Sequence, residues 1–420
     1  MTVVGQSIVD FAVIGAGPYG LSAAANIGAS DSSIRIFGRP LQTWTDTMPA
    51  GMKLKSDGFA SNLSAPAPGS SLAEFCRDRD IPYHDTEHPV SLKTFVAYGL
   101  EFQRRFVPHL ETSDVQHVEQ WGDGFRLTVG EGQTFLARRV VLAVGVTHFR
   151  VMPKQLMDLP ASLVSHSADC SHVDRFAGRR VAILGAGASA IDLAAALIDV
   201  GAATTIVARA GSIRFNSEPT GSRPRLLSQF INPRSPLGPG WRSRFASSMP
   251  QAYRHLPDRL RLAILHRHLG PRSAWYLRDK VLGGAKIFLA QHIEGVGSTG
   301  DHVCLKLRGE SGSLKSLEVD HVIAATGYWP QIERLHFLDK RLRQAIRHSE
   351  GVPILSQYFE TSVAGLYATG LMAAGSFGPL MRFVAGADYT ARRICRHLEM
   401  ARGSRHTLVA GATVPQAIRP

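Results

Sequence analysis

Two segments of the chain share one hydrophobic pattern: an apolar run, a glycine-rich turn, and then a run of small and apolar residues. In the first segment, residues 8–14 are apolar except for Asp10, and residues 15–20 are Gly-Ala-Gly-Pro-Tyr-Gly. A near-continuous apolar run of this length is typical of a strand that is buried on both faces. The pattern predicts a strand, a tight turn, a helix over residues 21–27 and a second strand over residues 33–37.

The second segment repeats the pattern in the middle of the chain. Residues 181–184 are apolar, residues 185–190 are Gly-Ala-Gly-Ala-Ser-Ala, a helix is predicted over residues 191–198, and the next strand over residues 204–208. One such turn is weak evidence for any function. Two in one chain, each between a strand and a helix, favour two nucleotide-binding units over one unit and an accidental glycine turn.

The glycine spacing has a specific physical meaning. The first glycine permits the tight turn, the second lets backbone amides approach a pyrophosphate, and the last small residue lets the helix pack close to the strand. The helix N-terminus adds partial positive charge for the phosphates. The residues predicted to hold dinucleotides in this way are Gly15, Gly17, Pro18 and Gly20 in the first turn, and Gly185, Gly187, Ser189 and Ala190 in the second.

The residues after each second strand bear on which dinucleotide binds. Many dinucleotide sites place an acidic residue there to hold a ribose hydroxyl. Here the first unit has Gly38 and Arg39, and Arg39 is predicted to contact the adenosine end of the cofactor. The second unit has Arg209, and a cation at this position suits a 2′-phosphate. We therefore expect NADPH rather than NADH, although a solvated arginine at a strand end has the same appearance in sequence.

Three further apolar segments end in glycine. Residues 140–145 end at Gly145, residues 322–327 end in Ala-Thr-Gly at Thr326 and Gly327, and residues 365–370 end at Gly370. Each predicts a strand that returns to a nucleotide module, with the glycine reversing the chain beside a cofactor. The last strand leads to a Gly-Ser-Phe-Gly-Pro segment and a predicted helix over residues 380–397. This segment is expected to bring Phe377 and Gly378 to a cofactor.

Composition and charge narrow the class of protein. The chain has 420 residues with a formal net charge of +13, and 13 arginines and one lysine stand against three acidic residues between positions 209 and 280. Such a basic region either attracts a polyanion or forms a solvated helical face. No recognition motif for nucleic acid accompanies the charge, so we expect no nucleic-acid partner. No apolar run is long enough for a transmembrane helix, and the chain start lacks the features of a secretion signal, so we expect a cytoplasmic protein.

The four cysteines lie far apart, at Cys76, Cys170, Cys304 and Cys395. This spacing excludes a CxxC dithiol and gives no metal-binding pattern, so no metal site is expected. Enzymes that reduce disulfides through a pair of neighbouring thiols need such a motif, so this chemistry is not expected here.

Together, the two glycine turns, the Ala-Thr-Gly strand and the C-terminal segment resemble the flavoproteins with two dinucleotide-binding domains. The narrower resemblance is to flavin-dependent monooxygenases of the flavin-containing and N-hydroxylating types, over residues 8–398. That group has a fingerprint of Phe-x-Gly, three residues, His, three residues and an aromatic. Here His166 fits, whereas Pro160, Ser162 and Cys170 replace the other members. His166 is accordingly either near the NADPH linker or a loop histidine without a role.

The resemblance also assigns residues 43–63 to the region along the flavin. It implies that Trp44 contacts the cofactor or belongs to the core, and that Lys55 stands where relatives place an asparagine near the reactive carbon, with Ser56 beside it. Lys55 would donate a hydrogen bond or steady a peroxide anion. Alternatively, Lys53 and Lys55 lie on one solvated face of a strand.

The resemblance implies an α/β fold with two Rossmann-like domains, each a mostly parallel sheet with a three-strand excursion. The FAD-binding domain is expected at residues 1–155 and 318–400, the NADPH-binding domain at 156–317, and a flexible tail at 401–420. An Arg- and aromatic-rich insertion at about 213–282 either walls a substrate channel or caps the NADPH domain.

The implied activity is that of a monooxygenase with FAD and NADPH as cofactors, and a small-molecule substrate and O2 as partners. It would form a flavin C4a-hydroperoxide and oxygenate a nitrogen, a sulfur or a carbonyl. A homo-oligomer is compatible with the sequence. The alternatives are an NADPH-dependent flavin reductase or oxidase that releases hydrogen peroxide, and a non-catalytic FAD-binding protein.

Overall fold

The computed structural model of the chain describes residues 8–30, 32–218, 232–267 and 272–410, with side chains up to residue 400. Its strands are β1 (Ile8–Ile14), β2 (Ile34–Phe37), β3 (Leu110–Glu111), β4 (Val115–Trp121), β5 (Gly124–Val129), β6 (Gln133–Leu142), β7 (Val164–His166), β8 (Arg180–Leu184), β9 (Ala203–Val207), β10 (Lys286–Phe288), β11 (Gln291–Thr299), β12 (His302–Gly309), β13 (Leu314–Val319), β14 (His321–Ala324), β15 (His348–Ser349), β16 (Val352–Pro353) and β17 (Leu366–Ala368).

Its α-helices are α1 (Pro18–Gly28), α2 (Gln42–Asp46), α3 (Leu72–Arg77), α4 (Leu92–Phe106), α5 (Ala188–Asp199), α6 (Trp241–Ser248), α7 (Pro250–Tyr253), α8 (Asp258–Arg267), α9 (Arg278–Gly284), α10 (Lys340–Ala345), α11 (Ala374–Phe377) and α12 (Gly386–Ala410). Short 3-10 turns at Trp275–Leu277 and Pro379–Arg382 matter for the site. None of the helices in the described ranges is long and apolar enough to cross a membrane.

The first sheet contains the first glycine unit. Its order is β3-β2-β1-β6-β5-β4, and β17 pairs with the second half of β6. Strands β3, β2, β1, β6 and β17 run parallel, whereas β4 and β5 form an antiparallel excursion on the first half of β6. The carboxyl halves of β1 and β6 lie in the largest core cluster, because their side chains are apolar on both faces. This core also holds α1, α4 and the residues of β17.

The second sheet contains the second glycine unit and is parallel throughout, in the order β10-β9-β8-β14-β7. Its two faces belong to different core clusters: one packs against α5 and α9, and the other against the three-stranded antiparallel sheet β11-β12-β13. The predicted α/β architecture with two mostly parallel sheets is therefore confirmed. The predicted three-strand excursion is present as β11-β12-β13 on the second sheet, whereas the excursion of the first sheet consists of β4 and β5.

The C-terminal helix differs from its predicted limits at both ends. The chain makes a 3-10 turn at Pro379–Arg382, Phe383 is extended, and α12 begins only at Gly386. The Tyr19 hydroxyl donates a hydrogen bond to the Phe383 carbonyl at 2.8 Å in this connection. At the other end α12 continues to Ala410, where a flexible tail was expected from residue 401. The sequence there consists largely of residues that tolerate helix and has no proline. Residues 411–420 lie outside the described residues.

Candidate functional site

A cleft of about 2670 Å³ lies between the two parallel sheets, and both glycine turns line it. The carboxyl ends of β1 and β8 open into this cleft, followed by the N-termini of α1 and α5. Ligands in open α/β sheets bind at this edge of the sheet. The arrangement places two equivalent helix N-termini on one open space.

The first turn has the geometry that its sequence predicts. Gly15 has a φ of +107°, and a Cβ on it would lie 2.2 Å from the carbonyl oxygen of Ala143, the residue after β6. A Cβ on Gly20 would lie 1.8 Å from the Gly15 carbonyl oxygen, which explains the close approach of α1 to the turn. Gly17 caps α1 and Pro18 occupies its first turn, and a Cβ on Gly17 would meet nothing within 4 Å. The space over Gly17 is therefore open for a phosphate.

The second turn repeats this geometry. Gly185 has a φ of +137°, and its Cβ would lie 2.5 Å from the Ala325 carbonyl oxygen, which follows β14. Gly187 caps α5 and has open space around it, whereas Ala190 is fully buried against the sheet. Ser189 lines the cleft. Both turns therefore leave helix amides accessible beside open space, as a bound pyrophosphate requires.

The two arginines at the strand ends also line the cleft. Arg39 is exposed and forms an ion pair with Asp46 at 3.1 Å, while its neighbour Gly38 packs against the first turn. Arg209 is exposed and follows β9. Within the described residues, it has no ion-pair partner. Arg209 is therefore available to a phosphate at the adenosine end of the second site, and Arg39 is partly neutralised.

The glycines at the ends of the returning strands border the cleft as expected. Gly145, Gly327 and Gly370 all have positive φ angles and line it. Gly370 packs against the ring of Tyr19, and the Thr326 hydroxyl donates a hydrogen bond to the Val151 carbonyl. These strand ends form the floor of the cleft between the two turns.

The placement of Phe377 and Gly378 differs from the prediction. Phe377 is fully buried and stacks on Phe359, with ring centroids 4.0 Å apart, so it belongs to the core rather than to the cleft. Gly378 packs against the ring of Tyr253 and does not reach the cleft either. The cleft wall in this region is formed instead by the following turn, where burial lowers the pKa of Arg382 to about 10.

Trp44 lies where the first core meets the cleft. Its ring packs against Phe95, with ring centroids 4.6 Å apart, at the edge of the first core, and the residue also lines the cleft.

His166 is a core residue. It is buried, its Nδ1 accepts a hydrogen bond from the Ala168 amide, and its Nε2 lies 3.3 Å from the Gly327 carbonyl oxygen. Burial lowers the pKa of His166. His166 thus contacts the residues that follow β14, through the Gly327 carbonyl, and it is not part of the cleft lining.

Lys55 and Ser56 line the cleft where it passes between the two sheets. Lys55 Nζ donates to Asp192 Oδ1 at 2.6 Å, and both side chains are less than a tenth exposed. The alternative of a solvated lysine face is therefore wrong for Lys55, although Lys53 is exposed. Burial raises the pKa of Asp192, and the Lys55 ammonium opposes that rise. The sequence analysis missed Asp192, since nothing in its helix pattern marks it as a partner of Lys55.

Two pairs of aromatic residues in the insertion lie in different places. Trp275 and Tyr276 line the cleft, whereas Trp241 and Phe245 on α6 are about half exposed and lie off the cleft. The exposed arginines Arg214, Arg242, Arg267 and Arg272 line the same wall. Trp275 and Tyr276 thus have the position that a channel wall requires, and Trp241 and Phe245 do not. Residues 219–231 and 268–271 of the insertion lie outside the described residues.

The chemistry available in the cleft is that of binding and placement. Across the described residues, none of the cysteines lines the cleft, and no cluster of His, Cys, Asp or Glu could hold a metal. The two glycine turns, the open space above them and Arg209 fit two dinucleotides. Electrons would pass between ligands that face each other across this one space.

Comparison with known proteins agrees with this geometry. The sequence model of the pyridine nucleotide-disulphide oxidoreductase family matches residues 9–227. A ferredoxin–NADP reductase 2 from Listeria monocytogenes is 27% identical over 215 residues, which are 49% of this chain and 56% of the relative. The chain spans about half the length of the curated relatives it matches.

Solved structures extend the similarity to nearly the whole chain. An ornithine N-hydroxylase from Kutzneria sp. 744 has a TM-score of 0.73 at 17% identity and covers 94% of this chain and 100% of its own. A bacillithiol disulfide reductase from Staphylococcus aureus has a TM-score of 0.63 at 18% identity, with the same coverage. At these identities the likeness establishes the fold.

The family match confirms the predicted resemblance to flavoproteins with two dinucleotide-binding domains, and with it an oxidoreductase. FAD and NADP(H), the predicted cofactors, are the ones that this family implies. With a matched segment that covers more than half of the chain and a cleft built on both of its glycine turns, the chain belongs to the pyridine nucleotide-disulphide oxidoreductase family.

Proposed function

We propose that the chain is an FAD-dependent monooxygenase that takes electrons from NADPH and uses O2 to oxygenate a small organic substrate at a nitrogen, a sulfur or a carbonyl. The observation that carries the proposal is the single cleft, which has a phosphate-binding turn at each side and no cysteine in its lining as far as the chain is described. A disulfide-reducing flavoprotein needs a thiol pair beside its flavin. Without such a pair among the described residues a dithiol relay has no support, and O2 entering the cleft is the electron acceptor in this proposal.

Each part of the chain has a role in this proposal. Residues 1–155 and 318–400 would form the FAD domain, with the pyrophosphate on Gly17 and the α1 N-terminus. Residues 156–317 would form the NADPH domain, with the pyrophosphate on Gly187 and the 2′-phosphate on Arg209. When bound, the flavin supplies the redox chemistry, and the protein supplies orientation and a cleft from which water is excluded.

Lys55 and Ser56 are the proposed catalytic residues. They lie at the boundary between the two halves of the cleft, where the ion pair with Asp192 offsets the charge of the Lys55 ammonium and fixes its position. An ammonium keeps further N–H donors, and a preorganised donor in a site of low dielectric stabilises a developing negative charge at little reorganisation cost. The insertion, with Trp275 and the arginines of the wall, would bind the substrate.

The second candidate is an NADPH-dependent flavin reductase or an oxidase that releases hydrogen peroxide. The similarity to a ferredoxin–NADP reductase over half of the chain favours it. A third candidate, a non-catalytic FAD-binding protein, would bind FAD in the same cleft and would not be reduced by NADPH.

Two-step rapid mixing separates the three candidates. FAD-loaded protein is reduced anaerobically with NADPH and then mixed with O2 in the presence of candidate amines, sulfides and ketones. A monooxygenase gives a transient absorbing species distinct from reduced and oxidised flavin, and oxygenated product that accounts for the NADPH consumed. Direct return to oxidised flavin with stoichiometric hydrogen peroxide would assign the oxidase or reductase, and no reduction would assign the binding protein.

A further inference from the structure

The Lys55–Asp192 ion pair connects the two nucleotide-binding halves of the molecule. Lys55 belongs to the first half, and Asp192 lies in α5, the helix whose N-terminus faces the second dinucleotide site. The atoms Nζ and Oδ1 are 2.6 Å apart, and the side chains of Lys55 and Asp192 are 9% and 8% exposed. The two groups are therefore held in one geometry away from bulk solvent.

Both ends of this pair are attached to rigid structure. On the Lys55 side, the Leu54 amide donates to the Val90 carbonyl and the Leu92 amide donates to the Met52 carbonyl, so the segment is held against the start of α4. On the Asp192 side, α5 packs on the second sheet through a fully buried face. A displacement of either half would therefore separate the charges or carry the other half with it.

Tyr276 completes a junction cluster, which we define as Lys55, Asp192 and Tyr276. The Lys55 ammonium lies 5.9 Å from the centre of the Tyr276 ring, and burial together with the negative Asp192 raises the pKa of Tyr276 to about 12. The hydroxyl is therefore protonated at neutral pH. The cluster lies in the cleft lining, at the boundary between the two glycine turns.

Stability alone does not account for such a pair. Removing two charges from water costs several kcal/mol per ion, and an apolar replacement of similar volume is often as stable or more stable. Moreover, a carboxylate in the first turns of α5 would repel the phosphates that the helix end attracts, unless a cation neutralises it. Lys55 supplies that cation from the other half of the molecule.

We propose that Asp192 is a positioning residue for electron transfer between the two dinucleotide sites. By binding Lys55, it fixes the loop beside the first site against the helix that carries the second, so that the two ligands are held at a reactive separation. The proposal rests on the proposed use of FAD and NADPH, because it assigns a role to the junction within that reaction. Misplacement by about 1 Å can reduce a rate on the order of a hundredfold.

The test is the double variant Lys55→Met/Asp192→Leu, which replaces both charges with apolar side chains of similar size. Its matched control is Lys280→Met/Asp199→Leu, which removes a second Lys–Asp pair at the same 2.6 Å distance, between the last residue of the same helix α5 and Lys280 of α9, but on the exposed surface. The measurements on FAD-loaded protein are the melting temperature, the FAD content, the Kd for NADP+ and the rate of anaerobic flavin reduction at saturating NADPH.

The double variant is expected to keep its FAD and its melting temperature, because no buried charge is left alone. Its reduction rate is expected to fall by at least about tenfold, with the control variant at the wild-type rate. The single variant Asp192→Asn, which keeps Lys55 but breaks the ion pair, is also expected to lower the rate, whereas Asp192→Glu, which keeps both charges, is expected to retain more of the wild-type rate than Asp192→Asn. A wild-type rate in Asp192→Asn would assign the loss in the double variant to Lys55 and overturn the role of Asp192. A double variant that is reduced as fast as wild type, or one in which lost FAD accounts for the whole loss, would overturn the proposal.

Failure of the proposed role of Asp192 can be distinguished from failure of the proposed function. Wild-type protein that is reduced by NADPH but gives no oxygenated product would overturn the monooxygenase assignment and leave the role of Asp192 standing. Wild-type protein that neither binds NADP+ nor is reduced would overturn both.

Discussion

The α-carbon of Gly185 faces the carbonyl of Ala325 so closely that a Cβ would lie 2.5 Å from its oxygen. Gly187, two residues later, has no atom within 4 Å of the corresponding position and has an ordinary extended φ of −81°. The two glycines of one turn thus have different reasons to be glycine. Gly185 is required by the fold, whereas Gly187 leaves room for a ligand.

The variant Gly187→Ala is therefore expected to fold normally and to bind NADP+ about tenfold more weakly, a loss of about 1.4 kcal/mol, because the new methyl group occupies the space over the helix amides. The FAD content should be unchanged. The measurements are the Kd for NADP+ by titration and the ratio of FAD to protein. The control is Gly297→Ala, which also has open space around it but lies in β11, outside the cleft. Wild-type affinity in Gly187→Ala would contradict the assignment of this turn.

Arg209 should determine the preference between NADPH and NADH. It is exposed at the end of β9, with no ion-pair partner among the residues described, so its charge is available to a 2′-phosphate. A charge-assisted hydrogen bond contributes about 1.5–3 kcal/mol, so Arg209→Gln should raise the KM for NADPH by about 10- to 100-fold. The KM for NADH should stay within about twofold. An equal rise of the KM for both nucleotides, or a wild-type enzyme that prefers NADH, would refute this role. The control is Arg259→Gln, which removes an exposed arginine of α8 and should leave both KM values unchanged.

The glycine turns and their strands could be predicted from sequence because their signal is local. Each turn is specified by a few neighbouring residues, and the structure reproduces both, including the packing of Gly20 and Ala190. The partner of Lys55 could not be predicted, since Asp192 is 137 positions away and its pairing depends on how the two halves meet. The prediction for Phe377 was wrong for a similar reason: its ring stacks on Phe359 in the core, and this contact depends on the fold.

His321 should make stability depend on pH. It lies in β14, with Nδ1 donating to the Ser162 carbonyl at 3.1 Å and Nε2 accepting from the Ser165 hydroxyl at 2.8 Å. Burial lowers its pKa to about 4. The unfolded chain binds a proton at this histidine below about pH 6.5, whereas the folded protein stays neutral until about pH 4. The contribution of His321 is thus fully present above pH 6.5 and is lost as the pH falls through this window.

The measurement is the free energy of unfolding in urea, with excess FAD, at several pH values between about 7.5 and 5. Wild type should lose stability more steeply than His321→Gln, by at most about 1.4 kcal/mol for each pH unit. His148 and His166, whose pKa values are also lowered by burial, contribute equally to both proteins and cancel in the difference. Parallel curves for the two proteins would show that His321 is not held neutral.

The role of the insertion can be tested with two tryptophans that differ in position. Trp275 lines the cleft, whereas Trp241 is 49% exposed on α6 and lies off the cleft. If the insertion forms the substrate wall, Trp275→Ala should raise the KM for an oxygenated substrate about tenfold, since about 1–2 kcal/mol of apolar contact is lost. Trp241→Ala should leave that KM unchanged, and the Kd for NADP+ should be unchanged in both. If the KM is the same in Trp275→Ala as in wild type, the insertion is a cap on the second sheet, and the substrate must be bound by the residues around Lys55 and Ser56.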